Sequence, residues 1–201
     1  NLIDISHKPT KHDTLIRIPN ADMRDRVYRK MIELSPATSN NKIMYGKGGL
    51  IDRRVTDLSI YGCIPGDVDG RQRVLSQIIK EFGFELSDTS SELVGIPGFW
   101  RDRYGRIRLW REYDINDDLL LIPFVGSDGK IQACQIRFMQ HITNKSGHYV
   151  WLSSFKKPFG CGTGSPLHHV RPGTLENKPV LITEGALKAA TAQRFFKDRY
   201  V

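Results

Sequence analysis

One acidic residue near the end of the chain, Glu184, has a sequence setting that suits metal binding or proton transfer. The apolar residues 180–182 predict a buried strand, and Glu184 and Gly185 follow closely, before helix formers over residues 186–197. A carboxylate at the end of a parallel strand projects into the crevice where α/β sheets bind ligands. Glu184 could bind a metal cation or accept a proton there, and Gly185 would let a phosphate or metal approach closely. The plainer alternative is that Glu184 only caps the helix.

A glycine-rich loop is a second candidate for ligand binding. Gly160, Gly162 and Gly164 lie in the segment FGCGTGSP and could direct backbone N–H groups at a phosphate. Lys156 and Lys157 come just before the loop and favour that interpretation. The loop lacks the Walker lysine pattern, so a flexible surface turn is the alternative.

Basic and aromatic residues alternate in the second half of the chain. Arg106 and Arg108 flank an apolar residue and are predicted to share one face of a strand. The wider set consists of Trp100, Tyr104, Trp110, Tyr149 and Trp151, with Arg101, Arg103, Arg106, Arg108 and Arg111 among them. Such a mixture suits base stacking and phosphate contacts on a single-stranded nucleic acid. The aromatic residues could equally be core or hairpin anchors.

The net charge of +8 is concentrated in the second half. Residues 1–93 hold 14 Lys and Arg against 13 Asp and Glu, and residues 94–201 hold 16 against 9. The balances are therefore +1 and +7, which favours a polyanionic partner such as nucleic acid, although a merely basic surface would have the same charge.

Several classes of protein are disfavoured by composition. No apolar run approaches the roughly 18–20 residues that span a bilayer, so no membrane partner is expected. Cys63, Cys134 and Cys161 are isolated and odd in number, which favours a reducing, cytoplasmic compartment over a disulfide framework. No zinc-ligand spacing is present, and His168 and His169 are predicted to be structural.

The elements that must position these residues change type along the chain. Residues 1–20 are predicted to be an arm, and residues 21–93 a helical module. The first helix is indicated by an N-cap at Asn20 and a stop at Pro36. A short second helix is indicated by the spacing of Ile51, Val55 and Leu58, with a stop at Gly62. A third is indicated by the apolar spacing from Val74 to Phe82, with Gly83 at its end. Residues 38–49 are predicted to be a loop between the first two helices.

Residues 94–175 predict a basic, antiparallel β-rich subdomain. A turn at residues 95–100 precedes strands at residues 106–110, 119–125, 130–139 and 148–152, with a tight turn at residues 127–129. Alternation along residues 130–139 places Gln135 and Arg137 on one face and Cys134, Ile136 and Phe138 on the other. Residues 176–201 then open an α/β layer, so the predicted fold class is α+β.

The order of several motifs resembles the catalytic core of bacterial-type DNA primases. The motifs are Ile122 with Pro123, Asp128 to Ile131, Gln135 to Arg137, Tyr149 with Ser153, and Leu181 to Gly185. The chain is more similar still to the primase-related, Toprim-like proteins of plasmids, phages and other mobile elements. Those proteins share a turn like Ile96 to Phe99, a segment like Tyr149 to Ser154, and a glycine-rich loop like residues 160–168.

The resemblance implies that residues 176–201 begin a Toprim-like domain and that Glu184 is its catalytic, Mg²⁺-associated glutamate. In the full-length protein, Mg²⁺ would support nucleotidyl transfer. Arg137 would hold template or nucleotide phosphates. Weaker candidates on the same basic surface are Arg106, Arg108, Lys156 and Lys157, with Tyr149 and Trp151 nearby. The implied partners are single-stranded DNA or RNA, and a replicative helicase or another replication protein.

The chain departs from the primase pattern at three places. Lys188 and Ala190 stand where members of these families carry acids, and the chain ends before the Asp-x-Asp strand that would complete the metal site. The start at Asn1 suggests a fragment, and we expect no polymerisation by these residues alone. Two alternatives stay open: a non-catalytic nucleic-acid-binding module with a degenerate Toprim site, and a protein-interaction domain of a mobile element.

Overall fold

The structure is a computed structural model that describes residues 20–55, 57–84, 92–140, 148–172 and 179–196. Its α-helices are α1 (Ala21–Leu34), α2 (Asn41–Tyr45), α3 (Val68–Phe82) and α4 (Ala186–Phe196). Its strands are β1 (Gly62–Ile64), β2 (Phe99–Arg101), β3 (Ile107–Leu109), β4 (Leu119–Val125), β5 (Ile131–Phe138) and β6 (Tyr149–Trp151). Two 3₁₀ turns lie at Ala37–Ser39 and Glu92–Gly95. None of the helices in these ranges has the length and apolar character needed to cross a membrane. The predicted arm, residues 1–20, lies outside the described residues except for Asn20.

The first long helix was predicted with the correct ends, whereas the second was predicted only from Val74, although α3 starts at Val68. The Asn20 side chain accepts a hydrogen bond from the Met23 N–H at 2.9 Å, and the helix ends at Leu34, with Ser35 as its C-cap before a proline. In α3, the Asp67 side chain accepts from the Gly70 N–H at 2.6 Å, and Gly83 is the C-cap.

The segment between the long helices differs from the prediction. Residues 38–49 are not simply a loop, because the Asn40 side chain accepts hydrogen bonds from the N–H groups of Lys42 and Ile43 and starts α2. The second predicted helix is wrong: residues 51–54 form turns, and Gly62 begins β1 instead of ending a helix. A Cβ at Gly62 would lie 3.2 Å from the Ile32 Cα, so glycine permits β1 to pass close to α1.

The principal sheet is antiparallel and has the strand order β1-β4-β5-β6. The predicted tight turn at residues 127–129 joins β4 to β5, and the register shifts between Phe124 and Val125. A separate two-stranded sheet pairs β2 with β3, so the predicted turn at residues 95–100 leads into a strand that the sequence analysis did not anticipate. Mixed helices and antiparallel strands confirm the α+β class.

Both faces of the principal sheet are buried. One face packs against α1, α3 and the β2–β3 hairpin, and its buried side chains include Leu119, Leu121, Cys134, Ile136 and Phe138. The other face packs against α2 and α4, and its buried side chains include Leu120, Ile122, Phe124, Ile43 and Leu187. Because β1 pairs with β4 and α1 contacts β5, the helices of residues 21–93 share the core of the strands that follow.

The loop before α4 is held against the sheet by a histidine. The Val125 N–H donates to His168 Nδ1 at 3.1 Å, and the His169 N–H donates to the Val125 carbonyl at 2.8 Å. Burial, with a smaller effect of the neighbouring His169, lowers the pKa of His168 to about 4, so the ring is neutral at pH 7 and Nδ1 can accept.

The strand predicted at residues 180–182 is wrong. These residues are not in a sheet, and Val180 and Ile182 are 60% and 87% exposed. An apolar run forms a strand only where another strand offers hydrogen bonds, and none of the described strands pairs with it. The predicted helix after it is confirmed as α4 through Phe196, while Lys197 lies outside the described residues.

We expect truncation on either sheet face to destabilise the fold comparably. Leu120→Ala and Leu121→Ala should each lower the free energy of unfolding by about 2–5 kcal/mol, because each removes a fully buried side chain from a different cluster. The measurement is urea unfolding, with Leu167→Ala, 78% exposed, as a control expected to change stability by no more than about 0.5 kcal/mol. A near-neutral effect of Leu120→Ala would show that the second face is not a true core.

Candidate nucleic-acid interface

The turn between β2 and β3 is organised around one carboxylate. Asp102 Oδ1 accepts hydrogen bonds from the N–H groups of Tyr104 and Arg106 at 2.9 and 3.0 Å. Its Oδ2 accepts from the Nε atoms of Arg106 and Arg108 at 2.9 and 3.0 Å. The two arginines predicted to share a strand face therefore share one acceptor, whose side chain is only 6% exposed.

The hydrogen bonds to Asp102 outweigh the effect of its burial. Burial alone would raise the pKa of the Asp102 carboxyl, but the backbone N–H groups of Arg106 and Tyr104 and the guanidinium groups of Arg108 and Arg106 lower it to about 2. Asp102 is thus an anion at neutral pH and neutralises only part of the charge of the two arginines.

Cations pack on aromatic rings around this turn. The guanidinium carbons of Arg103 and Arg106 lie 4.8 and 4.9 Å from the ring centroid of Tyr104, which is 65% exposed. Lys157 Nζ lies 4.4 Å from the Trp100 centroid, and Trp100 is directly opposite Arg108 in the strand register. We define the hairpin face as the exposed residues Arg103, Tyr104, Arg106 and Lys157 together with Arg108, which is 23% exposed.

The tryptophans of this region have a structural role. Trp100 and Trp110 are 3% and 4% exposed, and Trp100 Nε1 donates to the Trp110 carbonyl at 2.8 Å. They anchor the hairpin, as the plainer interpretation of the sequence allowed, whereas Tyr104 offers an exposed ring for stacking.

Arg137 lies on the opposite face of the principal sheet. Its neighbour Phe138 faces Trp110 on the hairpin side, with ring centroids 6.3 Å apart, while Arg137 Nη1 donates to the Gly48 carbonyl on the α2 side. Arg137 is 6% exposed, and burial is the main cause that lowers its pKa. Gly48 has φ +71°, and an added Cβ would lie 2.5 Å from Arg137 Nη2, so a side chain there would strain the backbone and displace the guanidinium group.

The predicted basic residues therefore do not form one surface. Arg106, Arg108 and Lys157 lie together on the hairpin side, apart from Arg137 and its strand partner Tyr149, which is 39% exposed. Trp151 packs on the Phe124 ring at 4.7 Å in the second core cluster, which gives it a packing role.

The glycine-rich loop is exposed but its glycines differ in setting. Gly162 and Gly164 are exposed, and Gly164 adopts φ +64°. Lys156 is exposed as well, with φ +72°, at the start of the loop. The Ser154 Oγ accepts from the Cys161 N–H at 3.0 Å and fixes the base of the loop. No phosphate cradle can be derived from these contacts, so its role in phosphate binding stays a prediction.

Glu184 lies on the surface beside a lysine. Its side chain is 82% exposed, and Oε1 is 2.8 Å from Lys188 Nζ, one helical turn later. The hydrogen bond from Lys188, followed by its charge, lowers the pKa of Glu184. An added Cβ at Gly185 would meet no atom within 4 Å, so the space beside Glu184 is open.

Within the described ranges, Glu184 is not joined by the further acidic side chains that a Mg²⁺ centre requires. Mg²⁺ sites use carboxylate oxygens, and the described ranges contain no group of three or more His, Cys, Asp or Glu side chains placed to hold a metal. Lys188 instead places a positive charge at the carboxylate. We therefore derive no catalytic step through a metal.

Asp102 and Arg71 were missed by the sequence analysis. The signal for Asp102 lies in the segment RDRYGRIR, where an acid precedes arginines by four and six residues on the two sides of a turn. Arg71 had no such signal, because a helical arginine normally points to solvent, and only the packing shows it to be 2% exposed.

No protein-family model matches the chain, and neither a curated protein nor a solved structure matches it. The resemblance to primases thus depends on the sequence motifs and stays a prediction.

We expect the contribution of Asp102 to stability to depend on pH. Asp102→Asn should lower the urea midpoint at pH 7, because the two guanidinium groups lose their anionic acceptor. A carboxyl whose pKa is lowered stabilises the fold above its unfolded value of about 3.9, and that stabilisation is lost as the pH falls to about 2.

The midpoint difference between the wild type and Asp102→Asn should therefore be full at pH 7 and about half gone at pH 3. Glu33→Gln, which alters a carboxylate that is 68% exposed, should change the midpoint little at any of these pH values. A difference that stays constant down to pH 3 would contradict the assigned role of Asp102.

Proposed function

We propose that this chain binds single-stranded nucleic acid through the hairpin face, as part of a primase-related replication protein. The observation that carries the proposal is the exposed Tyr104 ring, with the guanidinium carbons of Arg103 and Arg106 4.8 and 4.9 Å from its centroid. A ring of this kind can stack on any base, while flanking cations contact the phosphates on either side. The balance of +7 over residues 94–201 supports the same partner.

The turn is suited to a strand with accessible bases. Duplex DNA hides the faces of its bases in the stack, whereas a single strand can lay a base on Tyr104. Since Asp102 carries one negative charge against Arg106 and Arg108, the turn keeps a net positive charge with Arg103 and Lys157 nearby. That charge attracts the sugar-phosphate backbone without reading sequence.

The membership of a Toprim-like primase family is part of the proposal and is supported by the order of the sequence motifs. On that basis the full-length protein would catalyse nucleotidyl transfer with Glu184 and Mg²⁺, and would act beside a replicative helicase or another replication protein. The Glu184–Lys188 pair specifically favours the second candidate, a non-catalytic binding module with a degenerate Toprim site.

We expect the hairpin face to control both affinity and salt dependence. Fluorescence anisotropy with a labelled oligo(dT) strand should show weaker binding at 200 mM than at 50 mM salt. The double variant Arg103→Gln/Arg106→Gln should reduce the slope of log affinity against log salt by about 1.4, since each lost phosphate contact on a single strand contributes about 0.7. Tyr104→Ala should cost about 1–3 kcal/mol in binding.

A charge-matched control is available in the helices. Arg26→Gln/Lys80→Gln also removes two positive charges, from exposed positions of α1 and α3, and should leave the affinity within about twofold. Equal losses in the two double variants would mean that total charge, and not the hairpin face, governs binding. Binding that does not respond to salt would favour a protein-interaction domain instead.

A further inference from the structure

A small basic cavity lies beside the hairpin face, between the first turns of α3 and the end of β3. Its volume is about 120 Å³, and its polar lining consists of Arg71, Gln72, Arg108, Arg111 and Glu112. We call this cavity the arginine pocket. Three guanidinium groups around so small a space need an explanation, because like charges repel one another where water is restricted.

Arg71 is the most buried member. Its Nη1 donates to the carbonyls of Pro65 and Gly66, and its Nη2 donates to the Tyr113 carbonyl, each at 2.7 Å. All three acceptors are neutral, and Arg71 forms no ion pair with any residue that the structure describes. Its Nε is buried and has no hydrogen-bond partner. Because its hydrogen-bond acceptors are neutral, Arg71 keeps an uncompensated positive charge, and that charge acts on the adjacent cavity.

The surroundings of Arg71 shift its pKa in both directions. Burial is the main cause that lowers its pKa, while the more distant carboxylates of Asp114 and Asp67 raise it and Arg111 lowers it. These longer-range charges offset part of the burial cost, but they leave the pocket without a direct acceptor for the Arg71 charge.

The other two arginines add positive charge at the pocket. Arg108 Nη1 is 3.4 Å from Gln72 Oε1, and its charge is partly neutralised by Asp102. Arg111 packs over the rings of Trp110 and Tyr113 at 4.6 and 5.5 Å and forms no ion pair among the described residues.

Glu112 is the one acid in the lining, and its Oε2 lies 3.6 Å from Lys157 Nζ. Because Glu112 is shared with that lysine, the lining of three arginines and one glutamate carries a net positive charge.

We propose that the arginine pocket binds a phosphate monoester: the terminal phosphate of a nucleic-acid strand or the phosphate of a nucleotide. Guanidinium groups present paired N–H donors that match phosphate oxygens, and a monoester offers three such oxygens and nearly two negative charges. An internal phosphodiester offers two free oxygens and one charge, and its two sugars would hinder entry into a cavity of this size. The strand form of the proposal rests on the proposed function, because Arg108 belongs both to the pocket and to the hairpin face.

The experiment compares ligands that differ only in that phosphate. The whole chain is titrated with a 3′-labelled oligo(dT) strand that carries either a 5′-phosphate or a 5′-hydroxyl. In a separate assay, dAMP and deoxyadenosine are compared for the increase in melting temperature that they cause. We expect the 5′-phosphorylated strand to bind about tenfold more tightly, the size of one net hydrogen bond to a charged group. We expect dAMP, and not deoxyadenosine, to raise the melting temperature.

Two variants assign the effect to the pocket. Arg111→Gln should abolish the preference for phosphate while the 5′-hydroxyl strand binds through the hairpin face. Gln72→Glu should do the same by adding a negative charge, and it provides the test if Arg111→Gln does not fold. Arg73→Gln removes a 72% exposed arginine from the same helix and should retain the preference.

The outcomes separate this proposal from the function proposed above. A preference for the 5′-phosphate that both pocket variants abolish identifies the strand end as the ligand. If only dAMP shows an effect, an increase in melting temperature that both pocket variants abolish, the ligand is a nucleotide. That result would support the arginine pocket even if no strand binds. If neither the strand nor dAMP shows a phosphate preference, or if Arg73→Gln removes it equally, the proposal is overturned. Strand binding without any such preference would leave the hairpin face in place and reject only the pocket.

Discussion

The central constraint on this fold is that the β4–β5 pair must bury both of its faces. Successive side chains of β4 enter different cores: Leu119 and Leu121 join the cluster under α1 and α3, and Leu120 and Ile122 join the cluster under α2 and α4. A strand covered on both sides reads as a continuous apolar run, which is the pattern of residues 119–125. Several other elements pack directly on this pair, because β1 and β6 complete its edges, α1 contacts β5 and α4 contacts β4.

Because both faces of the sheet are covered, the basic side chains of the chain lie in separate environments. The alternation of β5 sends Phe138 towards the hairpin and Arg137 towards α2, so cations that are near in sequence end on separate sides. Arg137 is enclosed by the loop that contains Gly48, whereas Arg103 and Arg106 are exposed at the turn of the β2–β3 hairpin. The region best suited to a polyanion is therefore the hairpin, and not the strand that the primase resemblance emphasises.

Local signals in the sequence were sufficient for the long elements and insufficient for the short ones. Asn20 and Gly83 mark helix ends by a hydrogen bond and by backbone conformation, and the alternation along residues 130–139 predicts β5, but the N-cap at Asp67 was not recognised. By contrast, β1 has three residues and exists because Gly62 fits beside α1 and pairs with Leu121. Residues 180–182 have the composition of a strand, but composition does not supply the neighbour that a strand requires.

The candidate site, like the fold, was predictable from the sequence only where a local pattern determined it. The spacing of Arg106 and Arg108 correctly brought the two side chains together, since they share Asp102, although Arg106 precedes β3. Their common acceptor, the burial of Arg71 and the enclosure of Arg137 depend on contacts between distant segments, which no local pattern contains.

The hydrogen bonds that Asp102 accepts reduce the entropy that the turn would lose on binding a ligand. Because one carboxylate ties down two backbone amides and two guanidinium groups, the conformation of the turn at Arg103 to Gly105 exists before any ligand arrives. Association then spends little entropy on ordering these side chains, which is the advantage of a preorganised surface over a loop that must fold upon its target. The proposed binding of a flexible polymer would gain from this preorganisation.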